Sequence, residues 1–107
     1  MSFEILVGLE VADNPGYQAY RNAMMPILQR YGGTFGYDFQ VSEVLKSETD
    51  ANINRVFTIR FPSEAVKQQF FDDAEYLQVK AQYFQPSVIS TTHIASYMRD
   101  DAQGPSS

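Results

Sequence analysis

A chain of 107 residues with 44% apolar content is long enough for one hydrophobic core and too short for two. Eight Lys and Arg against thirteen Asp and Glu leave a net charge of -5, which repels phosphate backbones and anionic membrane surfaces and argues against a nucleic-acid partner. With no cysteine and one histidine, disulfides, thiol nucleophiles, thiolate metal sites and imidazole-rich metal sites are excluded, and no cofactor or metal is expected.

No apolar run approaches the roughly 18 residues of a membrane span, and Met1-Ser2-Phe3-Glu4 carries no basic region ahead of an apolar one. A soluble, cytoplasmic protein with no membrane partner is expected. The aromatic residues, 14% of the chain, are all Phe and Tyr, which suits either packing or a pocket wall.

Residues 3–11 alternate, with Phe3, Ile5, Val7, Leu9 and Val11 on one side, and predict a half-buried strand. Asp13-Asn14-Pro15 supplies a cap followed by a proline at a first helical position, so a helix is predicted from about Pro15 to Tyr31. Its apolar stripe is Tyr17, Tyr20, Met24, Ile27, Leu28 and Tyr31, and Gly32-Gly33 provides the left-handed stop. Pro26 lies inside this helix and predicts a kink, not a break, because the stripe keeps its phase through it.

Thr34 to about Lys46 predicts a second strand, with Phe35, Tyr37, Phe39 and Val41 on one face and Gly36, Asp38, Gln40 and Ser42 on the other. A bend is expected near Ser42-Glu43. Residues 47–52 form a turn, and Arg55–Phe61 is the returning strand, presenting Phe57, Ile59 and Phe61 to the core. Ser63 caps a second helix, Asp73 caps a fresh helical piece after a joint, and Pro86 closes the segment. Residues 87–98 form the last strand, and the polar run 99–107 is expected to be a mobile tail.

The order strand, helix, strand, strand, helix, strand is that of an α+β, ferredoxin-like βαββαβ domain over residues 1–98, with a four-stranded antiparallel sheet and both helices on one face. The uncovered face would carry Glu10, Asp38, Gln40, Thr58 and Arg60 mixed with Leu6, Val44 and Val56. A face this apolar usually meets a partner, and the simplest is a second copy packed sheet to sheet as a symmetric homodimer.

Asp13-Asn14-Pro15-Gly16-Tyr17-Gln18-Ala19-Tyr20-Arg21, Pro26-Ile27-Leu28-Gln29-Arg30-Tyr31-Gly32-Gly33, Phe61-Pro62-Ser63-Glu64 and Asp73-Ala74-Glu75-Tyr76 resemble, in order and spacing, the bacterial domain-of-unknown-function family thirteen-thirty of the dimeric α+β barrel superfamily. The resemblance covers roughly residues 3–85. It implies homodimers whose two sheets form a barrel, in a superfamily that includes cofactor-free monooxygenases, isomerases and haem-binding enzymes. The chain departs from the family pattern at Arg60, where an acidic residue is usual, at Tyr37-Asp38-Phe39, where further glycine is usual, and in the last strand, residues 91–97.

Several side chains are candidates for chemistry. Tyr17 and Arg21 stand one helical turn apart, and the Arg21 guanidinium can meet a carboxylate or enolate between helix and sheet, or lay its stem along the core with its head in water. Tyr20 is either a core ring with a satisfied hydroxyl or a ligand contact. Asp38 and Arg60 would face each other across the hairpin, as a register-fixing ion pair or with Asp38 as a general base of raised pKa. His93, the one side chain that ordinarily titrates near neutrality, can serve as an acid or base at a pocket, ligate haem, or stand as a satisfied sheet histidine, the last being favoured.

A homodimeric α+β barrel binding a small aromatic or carboxylated molecule is therefore expected. His93, Arg21 and Tyr17 are the catalytic candidates, and Tyr20, Tyr37, Asp38 and Arg60 the ligand-binding ones. Arg21 and Arg60 are the expected anchors for an anion in an otherwise acidic chain. Two alternatives need the same core: a cofactor-independent monooxygenase- or isomerase-like enzyme, and a barrel that only assembles and holds no ligand.

Overall fold

Alternating side chains cover one face of a strand, and residues spaced by threes and fours cover one face of a helix, so the first thirty residues already define two layers. In the computed structural model, which describes residues 1–100, the chain runs β1 (Ser2–Val11), α1 (Asn14–Arg30), β2 (Thr34–Gln40), β3 (Arg55–Phe61), α2 (Glu64–Phe71) and α3 (Ala74–Val79). A π-helical turn (Lys80–Phe84) and a short α4 (Gln85–Ser87) lead into β4 (Val88–Arg99). The strands make one antiparallel sheet in the order β2-β3-β1-β4. The domain is a ferredoxin-like α+β fold, as its element order predicts.

The core lies between the helices and one sheet face. Phe3, Ile5, Val7, Leu9 and Val11 of β1 and Phe57, Ile59 and Phe61 of β3 are buried against Tyr17, Tyr20, Met24, Ile27 and Leu28 of α1, with Phe70 and Tyr76 from the second helical layer. The helix boundaries follow local chemistry. The Asp13 carboxylate accepts from the Gly16 amide at 3.1 Å, and Gly32 ends α1 at φ 73°, a conformation that a Cβ disfavours. α1 runs unbroken through Pro26, with buried residues in phase on both sides of it. The Ser63 hydroxyl accepts from the Val66 amide at 3.2 Å. Asp73 caps α3 at the Tyr76 amide, 2.9 Å away, and also accepts from the Tyr31 hydroxyl at 2.7 Å. Pro86 does not end the helical segment: it lies within α4, and the strand begins at Val88.

Three further features differ from the sequence expectations. First, β2 stops at Gln40, and residues 41–54 leave the sheet. Asn54 pins the end of that loop to β1, accepting from the Val11 amide at 2.8 Å and donating to the Val11 carbonyl at 2.9 Å. Second, a β-bulge separates Phe35, opposite Ile59, from Asp38, opposite Phe57. The Tyr37 amide donates to the Thr58 hydroxyl at 2.7 Å, and a Cβ on Gly36 would lie 2.5 Å from that same oxygen. One extra residue moves all that follows to the opposite face. Asp38 therefore lies on the helix side, while Tyr37 and Phe39 stack at 5.6 Å on the uncovered face. Third, Arg99 belongs to β4, opposite Ser2, and not to a tail; of the rest of the expected tail, Asp100 follows the strand and residues 101–107 lie outside the described residues. Among the described residues no helix is long and apolar enough to cross a membrane.

Candidate functional site

Beneath α1 and the second helical layer, a cavity of about 330 Å³ opens onto the helix-facing side of the sheet. Its floor is apolar, built from Ile5, Val7 and Leu9 of β1 with Phe57 and Ile59 of β3. Its polar lining comes from Tyr17 and Tyr20 of α1, Lys67 of α2, Tyr76 of α3, Lys80 of the π-helical turn, and Thr91 and His93 of β4. No carboxylate among the described residues lines it. The π-helical turn places both Lys80 and Phe84 on the wall, a backbone irregularity of the kind often found at functional sites.

At one end of the wall the charges are paired in a chain. The Arg21 Nε donates to the Tyr17 hydroxyl oxygen at 2.7 Å. Its terminal nitrogens reach the Asp38 carboxylate at 3.3 and 3.4 Å. Arg55 grips the same carboxylate from the neighbouring strand at 2.8 and 2.9 Å. Two guanidiniums thus share one carboxylate and leave one positive charge in surplus. The Arg21 group also packs against two rings, 3.9 Å from the Phe35 centroid and 5.0 Å from that of Phe57, which adds cation–π contacts to its ion pair. Burial works to raise the Asp38 pKa, but the hydrogen bonds and charges of Arg55 and Arg21 outweigh it and hold the carboxyl below its ordinary value. Asp38 is therefore a stable anion and not the poised general base that a raised pKa would have made it.

The second polar group is a pair of phenols. The Tyr20 and Tyr76 hydroxyls lie 2.9 Å apart in the interior, and the Tyr20 ring packs on Tyr17 at 5.7 Å and on Phe84 at 4.9 Å. Burial raises the Tyr17 pKa despite the nearby Arg21 charge, and raises that of Tyr20 well above its ordinary value. Both phenols keep their protons at neutral pH.

Of the residues singled out from the sequence, Tyr17, Tyr20 and His93 line the cavity, and Arg21 and Asp38 stand behind Tyr17 as its support. Tyr37 is 64% exposed on the opposite sheet face and cannot share this site. The Asp38–Arg60 pair does not form, because the bulge carries Asp38 to the helix side; Arg60 instead donates to Glu4 at 3.2 Å on the uncovered face. Arg60 is accordingly not an anchor in the cavity. The sequence reading missed Lys67, Lys80, Tyr76 and Arg55. Lys67 stands three residues before the apolar Phe70 and Tyr76 three after the capping Asp73, but their approach to the cavity depends on how the second helical layer crosses the sheet.

A family model described as Domain of unknown function (DUF1330) matches residues 5–94. No curated protein matches the sequence. Among solved structures, a protein of unknown function from Rhodopseudomonas palustris superposes with a TM-score of 0.76 at 20% identity, covering 90% of this chain and 80% of the other. A dimeric protein of unknown function with a ferredoxin-like fold from Bacteroides fragilis gives 0.58 at 9% identity, over 90% and 94%. SnoaB, a cofactor-independent oxygenase from Streptomyces nogalater, gives 0.56 at 11% identity, over 94% and 92%. Likeness at these identities extends to the fold alone.

Proposed function

The chain belongs to the DUF1330 domain family, and from that premise we propose that it acts as a homodimer that binds a small, flat aromatic or carboxylated molecule between its helices and its sheet. The observation that carries this reading is the cavity of about 330 Å³, apolar on its floor and furnished with a few convergent polar groups on its wall, the usual make-up of a small-molecule site. Its volume is at the low end of such sites, which suits a ligand of one or two rings. Lys67 and Lys80 attract a negative head group with no carboxylate in the lining to oppose them. Isothermal titration with 2-naphthoate is expected to give one site per chain with a dissociation constant on the order of 10–100 μM. No detectable heat and no ligand-induced rise in melting temperature at millimolar probe would overturn the reading.

The homodimer rests on the opposite face of the sheet. Phe39 and Ile94 are 54% and 46% exposed there beside Tyr37, and a groove of about 850 Å³ runs past Val44, Leu45, Val56 and Ile94. A second copy laid sheet to sheet removes this apolar surface from water, and the B. fragilis protein of the same fold is described as dimeric. Light scattering at micromolar concentration is expected to give twice the chain mass for the native protein and the chain mass for Phe39→Glu. A monomeric native protein sinks the proposal.

One observation favours a second reading, a cofactor-free oxygenase or isomerase. His93, the chain's single imidazole, lines the same cavity as Tyr17, and a base beside a phenol can take a proton from a bound carbon acid while the phenol holds the resulting enolate. Conversion of a bound probe, lost in His93→Ala while binding persists, would distinguish this reading from binding alone.

A further inference from the structure

We infer that the cavity is an oxyanion site, in which the Tyr17 phenol and one hydroxyl of the Tyr20–Tyr76 pair donate to the anionic oxygens of the ligand. This rests on the ligand-binding reading above and adds which chemical group the wall is built to meet.

A guanidinium has no acceptor, so the 2.7 Å contact between Arg21 Nε and Tyr17 Oη has only one direction: Arg21 donates and the phenol accepts. The Tyr17 proton must point elsewhere, and no acceptor meets it among the described residues. Asp38 has both oxygens engaged by Arg21 and Arg55. The Tyr20–Tyr76 contact likewise holds two protons and one hydrogen bond. Whichever phenol donates, the proton of the other is left over. Two phenol protons therefore meet no acceptor among the described residues beside one cavity, and a buried donor without an acceptor is costly enough that a ligand able to accept is strongly favoured.

The rest of the lining has the same sense. Lys67 and Lys80 only donate, and Thr91 and His93 are the sole lining side chains beyond the phenols that can accept. A donor-rich, acceptor-poor wall complements a carboxylate, phenolate or enolate and discriminates against an alcohol or amine of the same shape, which would leave a further donor unsatisfied. Arg21, clasped by Asp38 and stacked on Phe35, is a positioning residue: it fixes the Tyr17 oxygen and thereby the direction of its proton.

Titrations with 2-naphthoate and the isosteric alcohol 2-naphthalenemethanol test this. The native protein is expected to bind the carboxylate at least about tenfold more tightly than the alcohol, the effect of one hydrogen bond to a charged group. Tyr17→Phe should lower carboxylate affinity by about tenfold and alcohol affinity by less, since an uncharged oxygen accepts a weaker bond, so the preference narrows. Should that variant fail to fold, the double variant Lys67→Gln/Lys80→Gln serves: it should bind the carboxylate more weakly than the native protein does, while the part of the preference over the alcohol that the phenols set remains. Equal affinities in the native protein, a preference that Tyr17→Phe leaves intact, or one that the lysine variant abolishes would each overturn the inference while leaving the cavity reading in place. Binding of neither probe overturns the cavity reading as well.

Discussion

Phe70→Ala is expected to destabilise the domain by about 3–5 kcal/mol, the usual range for truncating a buried phenylalanine. Phe70 is 0% exposed and stands at the centre of a ring cluster, with Tyr76 at 4.4 Å, Phe71 at 5.0 Å, Phe61 at 5.6 Å and Tyr31 at 6.0 Å between centroids. Each of these pairs contributes beyond the area it buries. Their loss falls on three elements at once, because Phe61 ends β3, Tyr31 follows α1 and Tyr76 lies in α3. For a domain of this size the melting temperature should drop by roughly 15–25 °C, close to the whole stability margin of a typical small domain. Thermal and urea melts followed by circular dichroism check this, and a cost under about 1 kcal/mol would show that the site repacks freely. Ligand binding should weaken in parallel, since Tyr76 is both a neighbour of Phe70 and part of the cavity wall.

The same cluster illustrates why some of the architecture could be read from the sequence. Asp13, Ser63 and Asp73 cap helices through bonds that span only three residues, so their type and position suffice to predict them. The stripe Tyr17, Tyr20, Met24, Ile27, Leu28 is equally local. The bulge in β2 is not: it depends on the hydroxyl of Thr58, twenty-one residues away, taking the Tyr37 amide. Strict alternation across residues 34–46 therefore assigns Asp38 to the wrong face, and one misplaced residue converts two ion clusters, Arg21–Asp38–Arg55 and Glu4–Arg60, into a single pair that does not exist. Val41, Val44 and Leu45 look strand-like by composition, but Asn54 ties the end of their segment to β1, and they leave the sheet. For the candidate site, Tyr17, Tyr20, Arg21 and His93 were legible as polar tips within apolar patterns. Lys67 and Lys80 were not, because a lysine on a helix gains meaning only when a cavity lies below it.

Glu4 leads to the second large effect. It sits on the face of β1 opposite the helices, where a lone acid between apolar residues reads as a solvent contact, yet it is 4% exposed. Its neighbours in register are Arg60 on β3 and Tyr97 on β4. One carboxylate oxygen accepts from Arg60 at 3.2 Å and Arg99 at 2.9 Å, and the other from the Tyr97 hydroxyl. Burial by itself would raise the Glu4 pKa, but these three donors prevail and hold it below the ordinary value of 4.5. Glu4→Gln keeps the shape but turns an N–H group toward donors, and is expected to cost about 2–3 kcal/mol at neutral pH. Because the folded pKa is depressed, this stabilisation is fully present above the unfolded value of 4.5 and drains away as pH falls through the folded one. Asp38 adds a contribution of the same sign, fully present above its own ordinary value of 3.8 and lost below it. Urea melts across the acid range should therefore show native and Glu4→Gln proteins far apart at neutral pH and converging as pH falls below 4.5. A gap that stays constant over that range would mean that the carboxylate charge does not hold the three strands together, and that the amide merely packs less well than the carboxylate it replaces.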